Sequence, residues 1–490
     1  MILRFLRRRP RLWAALAALA FVPLALTTVN AAPAHAFTVV PSNYTYTTTL
    51  VKTSGGIVSA LYQPTTPTPQ SDIAVVMFHD TSDLINTTQC LGLADRGFTV
   101  ICSDPAYDQL GEVDWNDIPT QVGGVVNDAY SVPGVKYVVL FGWSGGGADV
   151  AYYQAVAQNG TAYCQNPARL DPCSSSLAGL KPASGVMMLD SIPGLAFQIA
   201  SDLDPSVPRS DPQGLTSSSN PALSMFNPKN GYVGQNSENN YSQAFLTRYF
   251  AGQAQREDAL VNLALSDQRK VQSGHAAFSD DLPFALGRVG ARPWQLDDAI
   301  LNHTSQPETL ITPSAPQGAL SSSITDLDNL GVVGGDVERV TTPPAEQSPV
   351  PVSPEADDQF EGTQFAGDIG GDMTVNTFLG TFAIRLDRNF NMTADTINGV
   401  DWGSSNTSTI ANLQGVTSPV LIMSESGHYY VDLSEMYYLA TKSTNKTLAY
   451  VWGGSHSFTP CTQCLSPASS YGDTLNETFN YMANWLVTNF

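Results

Sequence analysis

The sequence predicts an α/β protein with a mainly parallel sheet flanked by helices. Short apolar runs alternate with helical stretches, which is the pattern of right-handed βαβ crossovers. One such run, residues 137–141, leads into Gly142-Trp143-Ser144-Gly145-Gly146 and then into a helix predicted at about residues 148–158. The same rhythm stops near residue 196 and returns near the C-terminal end. We therefore predict one sheet that is interrupted by a long insertion.

The individual elements follow from the spacing of apolar residues. Residues 45–50 and 57–62 alternate in polarity around Ser54-Gly55-Gly56, which predicts a hairpin. The sheet strands are predicted at residues 73–78, 98–102, 137–141, 185–189, 419–423 and 447–452. Further helices are predicted at residues 84–96, 241–265 and 433–441, and at the C-terminal end, where Leu475, Phe479, Met482 and Leu486 share one face.

The insertion at residues 196–405 lacks this strand rhythm and is predicted to be a cap over the main domain. Residues 341–361 are rich in proline and acidic side chains, which is typical of an irregular loop. The predicted core therefore consists of residues 37–195 and 406–490. The aromatic residues of the cap suit either an apolar substrate pocket or the cap's own core: Phe226, Tyr232, Tyr241, Phe245, Tyr249 and Phe250.

The N-terminal residues 1–36 have the three parts of a secretory signal peptide. An arginine-rich start precedes an apolar stretch at residues 13–26, and Ala34-His35-Ala36 fits a small-x-small cleavage site. The apolar stretch is about 14 residues long, short of the roughly 20 that span a bilayer. We therefore predict a secreted, extracellular protein without stable membrane insertion.

The charge balance and the cysteines agree with this location. The formal net charge of −21 disfavours binding to nucleic acid and to anionic membrane surfaces. Six cysteines behind a signal peptide predict disulfides, and short separations favour Cys90–Cys102, Cys164–Cys173 and Cys461–Cys464. Cys461-x-x-Cys464 also has the spacing of a redox pair or of half a zinc site. However, the sequence has no second cysteine pair or nearby histidine that would complete a zinc site.

The turn around Ser144 has the pattern Gly-x-Ser-x-Gly, which is typical of a nucleophile elbow. A serine at the tip of a strained strand-to-helix turn is crowded on both sides, and Gly142 and Gly146 leave room there. The start of the helix also brings backbone N–H groups beside Ser144, where an oxyanion would develop. Ser144 is therefore the predicted nucleophile.

A serine nucleophile needs a base, and the candidates are the histidines outside the signal segment: His79, His275, His303, His428 and His456. The elbow, a histidine-containing loop after an early strand and a late histidine occur here in the order of the α/β-hydrolase superfamily, which residues 44–195 and 416–490 resemble. The resemblance implies an α/β-hydrolase fold with a serine esterase or lipase-like site. It also implies that the base is His456, after the last strand.

The same resemblance implies two places for the acid that orients this histidine. The place after the strand that follows the elbow maps onto Asp190, in the run LDSIPG. The later place, after the next core strand, holds His428 where many members have aspartate, and Glu425 is the nearest carboxylate. We favour Asp190 as the acid. Glu425 is the alternative, and Asp432 and Glu435 rank below it.

The resemblance implies an oxyanion hole made of the backbone N–H groups of Gly145 and Thr81. Asp80 departs from the family pattern, because glycine is usual at that position. We predict a serine hydrolase that cleaves small or polymeric carboxylic esters through an acyl-enzyme, without cofactor or metal. The alternatives are a catalytically inactive binding protein of the same fold, and a cofactor-free enzyme acting on amides, lactones or C–C bonds.

Overall fold

A nine-stranded sheet forms the centre of the computed structural model of the chain. The structure describes residues 40–233, 239–296, 300–301, 309–311, 373–393, 396–428, 431–462 and 468–490. The nine strands are β1 (Tyr46–Lys52), β2 (Val58–Pro64), β3 (Ile73–Phe78), β4 (Thr99–Asp104), β5 (Tyr137–Trp143), β6 (Gly185–Leu189), β8 (Thr309–Ile311), β12 (Val420–Glu425) and β13 (Lys446–Val451). Two small hairpins pair β7 (Pro283–Phe284) with β9 (Met373–Thr374), and β10 (Arg385–Met392) with β11 (Ile397–Asp401).

The strand order in the sheet is β1-β2-β4-β3-β5-β6-β12-β13-β8. Strand β2 pairs antiparallel with β1 and β4, and every other neighbouring pair is parallel. The structure therefore confirms the predicted mainly parallel sheet and the N-terminal hairpin. Because parallel strands end on the same edge, the loops after β3, β5, β6, β12 and β13 gather at one edge of the sheet.

Helices cover both faces of this sheet, so its inner strands are apolar along their whole length. Every residue of β3, β6 and β12 is buried. The helices are α1 (Thr88–Ala94), α2 (Ile118–Ser131), α3 (Gly146–Asn159), α4 (Leu195–Asp202), α5 (Gln243–Gln272), α6 (Pro293–Leu296), α7 (Val375–Thr377), α8 (Thr409–Leu413), α9 (Val431–Ala440) and α10 (Thr474–Asn489), and a π-helical turn spans Phe378–Phe382.

The structure adds one long helix that the sequence analysis does not predict. Helix α2 contains Gly123 and Gly124, which lower its helix propensity, and it begins with Pro119 in its first turn. Its buried face, with Val122, Val125 and Val126, packs into the core. Tertiary packing therefore outweighs the weak local preference at this segment.

Described parts of the predicted insertion, residues 196–405, pack against each other and against the main sheet. The side chain of Ser242, directly before α5, accepts a hydrogen bond from the N–H of Phe245, and β10 packs along α5. Strand β8 also belongs to this segment and pairs in parallel with β13 at the sheet edge. All but one of the six aromatic residues singled out above are buried within the core: Phe226, Tyr241, Phe245, Tyr249 and Phe250. The predicted loop at 341–361 and the predicted signal peptide at 1–36 lie outside the described residues.

Two of the three predicted disulfides are present. Cys90 bonds to Cys102, which ties α1 to β4, and Cys164 bonds to Cys173 in the loop after α3. Cys464 lies outside the described residues, so its pairing with Cys461 stays a prediction. Among the residues that the structure describes, no helix is both long and apolar enough to cross a membrane.

Candidate active site

Ser144 lies between β5 and α3 in a sharp turn. Its φ of 55° is in the left-handed region, which non-glycine residues rarely adopt. A Cβ on Gly142 would lie 2.3 Å from the carbonyl oxygen of Gly146, and a Cβ on Gly146 would lie 2.1 Å from the carbonyl oxygen of Phe78. Glycine is therefore required at both positions, as expected for a nucleophile elbow, and Ser144 is half-buried at its tip.

Asp190 directly follows β6 and is completely buried. The backbone of Ser144 is fixed to this segment, because its N–H donates to the carbonyl oxygen of Leu189 (3.2 Å) and its carbonyl oxygen accepts from the N–H of Ile192 (3.1 Å). Asp190 also has a positive φ of 49°. These two hydrogen bonds therefore fix the position of the turn that carries Asp190 relative to the turn that carries Ser144.

His456 lies after β13 and contacts Asp190. Its Nδ1 is 3.0 Å from Oδ2 of Asp190, and its side chain is 24% exposed. Trp143, the residue before Ser144, donates its indole N–H to the carbonyl oxygen of His456 (2.9 Å), and the two rings lie 5.1 Å apart. His456 and Asp190 are thus in contact, and the turn of Ser144 is hydrogen-bonded to the residues on either side of Asp190 at the same sheet edge. A Ser–His–Asp arrangement of this kind suits nucleophilic catalysis.

A second imidazole shares the same carboxylate, which sequence reasoning missed. Nδ1 of His428 lies 3.1 Å from Oδ2 of Asp190, and the His428 ring stacks on that of His456 at 4.3 Å between centroids. The other oxygen, Oδ1, accepts hydrogen bonds from Oγ of Ser424 (2.7 Å) and from the N–H of Glu425 (3.1 Å). The only available signal was the position of His428, at a place where the family often carries the acid.

These contacts keep Asp190 ionised although it has no exposed surface. Burial alone would raise its pKa. The charge of His428 and the hydrogen bonds from His428 and His456 act in the opposite direction, and the net result is a pKa well below the ordinary value for aspartate. The contacts of Asp190 therefore favour its ionised form, which is the form that can orient an imidazole.

Glu425, the alternative acid, has a different environment. Its Oε1 accepts a hydrogen bond from Oγ1 of Thr478 (3.1 Å) on α10. Burial and then the charge of Asp190 raise its pKa well above the ordinary value, while the bond from Thr478 lowers it. The carboxyl group that contacts His456 is therefore that of Asp190. The two remaining candidates, Asp432 and Glu435, lie buried in α9.

Thr81, the other predicted oxyanion donor, lies in the loop after β3, and its role stays a prediction. The N–H of Thr81 donates to Nδ1 of His79 (3.1 Å). Gly145 follows Ser144 at the start of α3, where an unpaired amide is expected. A Cβ added to Gly145 would lie 2.9 Å from Nε2 of His79. The predicted donor Gly145 therefore lies beside the His79 ring, while the Thr81 amide is already engaged.

Among the described residues, Asp190, His428 and His456 form a group that could hold a metal ion, with ligand atoms within 4.8 Å of one another. The two rings lie at 19° to each other, and Nδ1 of each ring lies within 3.1 Å of the same oxygen, Oδ2 of Asp190. This contact of both ring nitrogens with one carboxylate accounts for the cluster without a bound ion.

The strand order, the elbow after β5 and the late histidine after β13 together define the α/β-hydrolase fold. No family model matches the sequence, and no curated protein matches it. The chain is similar in structure to DcsB in complex with its substrate analogue, at 12% identity and a TM-score of 0.37, over 91% of this chain and 100% of that one.

Two further solved structures show similar values. Proline iminopeptidase of Mycobacterium smegmatis is 12% identical, with a TM-score of 0.35 over 90% of this chain and 98% of that one. Monoacylglycerol lipase of Paleococcus ferrophilus is 10% identical, with a TM-score of 0.35 over 89% and 99%. The fold assignment rests on the strand order of the chain itself, and function has to be argued from the site.

Proposed function

We propose that this chain is a secreted serine hydrolase that cleaves carboxylic esters. The observation that supports this most is the contact of His456 with a buried, ionised Asp190 whose segment is hydrogen-bonded to the backbone of Ser144. A hydroxyl becomes a useful nucleophile only when an oriented base takes its proton. In this proposal Ser144 is the nucleophile, His456 is the base and Asp190 orients it.

In the proposed reaction, Oγ of Ser144 attacks the ester carbonyl carbon while His456 takes the hydroxyl proton. Asp190 holds the imidazole in position and stabilises its positive charge. The tetrahedral intermediate collapses, the alcohol leaves with the proton from His456, and an acyl-enzyme remains. Water, activated by the same imidazole, then releases the acid. Small-molecule and polymeric esters are both substrates for this chemistry, and nucleic acid is not a partner.

The proposal is tested with p-nitrophenyl esters from acetate to palmitate. The wild type is expected to turn over, and Ser144→Ala is expected to lose about 10⁵- to 10⁶-fold in kcat, because the nucleophile is absent. The matched control is Ser131→Ala, which removes an exposed hydroxyl at the end of α2 and is expected to behave as the wild type. Equal activity of Ser144→Ala and the wild type would refute the assignment.

Secretion is tested separately. After expression in a bacterial host with a secretory pathway, the protein is expected in the medium with Phe37 as its first residue, as N-terminal sequencing would show. A protein that stays inside the cell with Met1 retained would contradict this part of the proposal.

A further inference from the structure

Trp143, the residue directly before the elbow serine, packs against the loop that carries the proposed base. Its indole ring lies 5.1 Å from the ring of His456 and 6.0 Å from that of Phe458, measured between ring centroids. In the sheet, Trp143 is paired with Leu189, the residue directly before Asp190. Trp143 therefore links the strand that leads into the elbow to the segments of the base and of the acid.

The loop of His456 is closed by backbone hydrogen bonds of its own. The N–H of Ser455 donates to the carbonyl oxygen of Thr459, and the N–H of Phe458 donates to that of Ser455, both at 2.8 Å. His456 and Ser457 are the two central residues of the turn that this second bond closes, and Ser457 is exposed. These bonds give the loop its shape. Because both lie within the loop, they do not fix its position relative to the elbow.

The indole N–H of Trp143 connects the turn of His456 to the elbow strand. It donates to the carbonyl oxygen of His456 at 2.9 Å. An indole nitrogen is a donor only, so the direction of this bond does not depend on any protonation state. The acceptor is the backbone of the proposed base, so the bond acts on the position of the turn from which the imidazole extends.

Phe458 holds the other side of the indole. Its fully buried ring packs edge-to-face on Trp143, at 81° between the ring planes, and on Phe479 of α10 at a centroid distance of 5.7 Å. Its carbonyl oxygen accepts a hydrogen bond from Oγ1 of Thr474, the first residue of α10, at 2.7 Å. The indole therefore packs against a ring that is itself anchored to a helix, and this packing orients its N–H.

Two contacts thus act on His456 from different sides, with Asp190 at the ring and Trp143 at the backbone. We propose that Trp143 is a positioning residue, which holds the turn of His456 so that the imidazole stays within reach of Ser144 throughout the reaction. This inference rests on the proposed serine hydrolase function. Trp143 gives and takes no proton in this role. It affects the rate because a catalytic group displaced by about 1 Å can lose about 10²-fold in activity.

Two variants separate the hydrogen bond from the ring. Trp143→Phe keeps an aromatic ring beside His456 but removes the donor, and it is expected to lower kcat for p-nitrophenyl butyrate by about 3- to 10-fold, the contribution of one neutral hydrogen bond. Trp143→Leu also removes the ring, and a loss of about 30- to 100-fold is expected because the turn can then shift. The control Trp402→Phe replaces a half-buried tryptophan that contacts Phe197, and it is expected to match the wild type.

A double-mutant cycle tests whether Trp143 acts through His456. His456→Ala removes the base and leaves the residual rate that a serine hydrolase retains without it. If Trp143 acts by positioning His456, adding Trp143→Phe to His456→Ala is expected to change this residual rate by less than about twofold. A general structural role would instead lower the rate by the same factor in both backgrounds. Thermal unfolding followed by far-ultraviolet circular dichroism shows whether each variant keeps its fold.

The outcomes separate this inference from the proposed function. If a fluorophosphonate does not label Ser144 in the wild type, the hydrolase function and the role of Trp143 are both refuted. If Ser144 is labelled but folded Trp143→Phe and Trp143→Leu keep the kcat of the wild type, only the role of Trp143 is refuted. The same conclusion follows if Trp143→Phe slows His456→Ala by the same factor as it slows the wild type.

Discussion

Asp190 and Glu425 end two neighbouring strands of one sheet, and both side chains are fully buried, yet their pKa values move in opposite directions. Asp190 contacts two imidazoles, one hydroxyl and one backbone N–H. Glu425 accepts a bond from one hydroxyl and lies near the negative charge of Asp190. Burial raises the pKa of both groups. The difference between their pKa values therefore comes from the groups that surround each carboxyl. The comparison explains why a buried acid can serve either as a charged catalytic group or as a neutral structural one.

The largest expected effect comes from replacing the charged member of this pair. Asp190→Asn keeps the size of the side chain but removes its charge and no longer selects the required tautomer of His456. If Asp190 orients His456 as proposed, we expect kcat for p-nitrophenyl butyrate to fall by about 10⁴-fold, as for the orienting aspartate of a serine protease. The matched variant Glu425→Gln separates a specific loss from a general effect of altering a buried acid. A fall of less than tenfold in Asp190→Asn would show that another group orients His456.

An intermediate effect is expected from the second imidazole. His428→Phe keeps a stacked ring beside His456 but removes Nδ1, so the pKa of Asp190 loses one of the influences that lower it. Hydrogen bonds and close contacts to charged groups contribute about 1.5–3 kcal/mol, so we expect kcat/KM to fall by roughly tenfold or more. The measurement is the profile of kcat/KM against pH.

His428→Asn is the control for this variant, because it restores an N–H donor near Nδ1 without the ring. It is expected to recover most of the loss. If His428→Phe has the wild-type profile over the whole pH range, the second imidazole contributes nothing to the site.

The smallest effect on activity is expected at Glu425. Because its carboxyl is not the one that contacts His456, Glu425→Gln should keep kcat within about threefold, far from the 10⁴-fold loss of an orienting acid. A larger loss would favour Glu425 as the acid after all.

The same variant tests the pKa of Glu425 through stability. Its folded-state pKa is raised, so its stabilising contribution is complete below the unfolded value and is lost as the pH rises through the folded one. The Tm of Glu425→Gln relative to the wild type should therefore increase as the pH rises above the unfolded pKa of glutamate, about 4.3. A difference in Tm that does not depend on pH would contradict the raised pKa.

Local pattern was sufficient to predict most of the sheet. Strands β3 and β6 occupy the predicted residues, because a strand covered on both faces is an uninterrupted apolar run. The elbow was predictable for a similar reason, since its glycines are required by contacts within one turn. Strand β8 was not predicted: it has only three residues, and its pairing with β13 is a long-range contact that leaves no local signal.

The sequence predicted individual candidate residues of the site, but it did not predict the contacts between them. The candidates His456, Asp190 and Glu425 came from the family resemblance and their positions after strands, whereas only the structure shows that the carboxyl of Asp190 contacts His456. The contact of His428 with Asp190 and the bond between Thr81 and His79 depend on how loops from different strands meet. The spacing of residues along the chain does not predict such contacts between loops.

The pairing of β8 with β13 sets a limit on how this protein can be shortened. An engineer who seeks a minimal catalytic domain would remove residues 196–405 as an accessory part, and would remove β8 with them. Ala449, Tyr450 and Val451 would then lose their ladder partners on that side, leaving an apolar strand edge open to other chains. A chain shortened in this way would need a replacement edge strand to prevent association through the open edge.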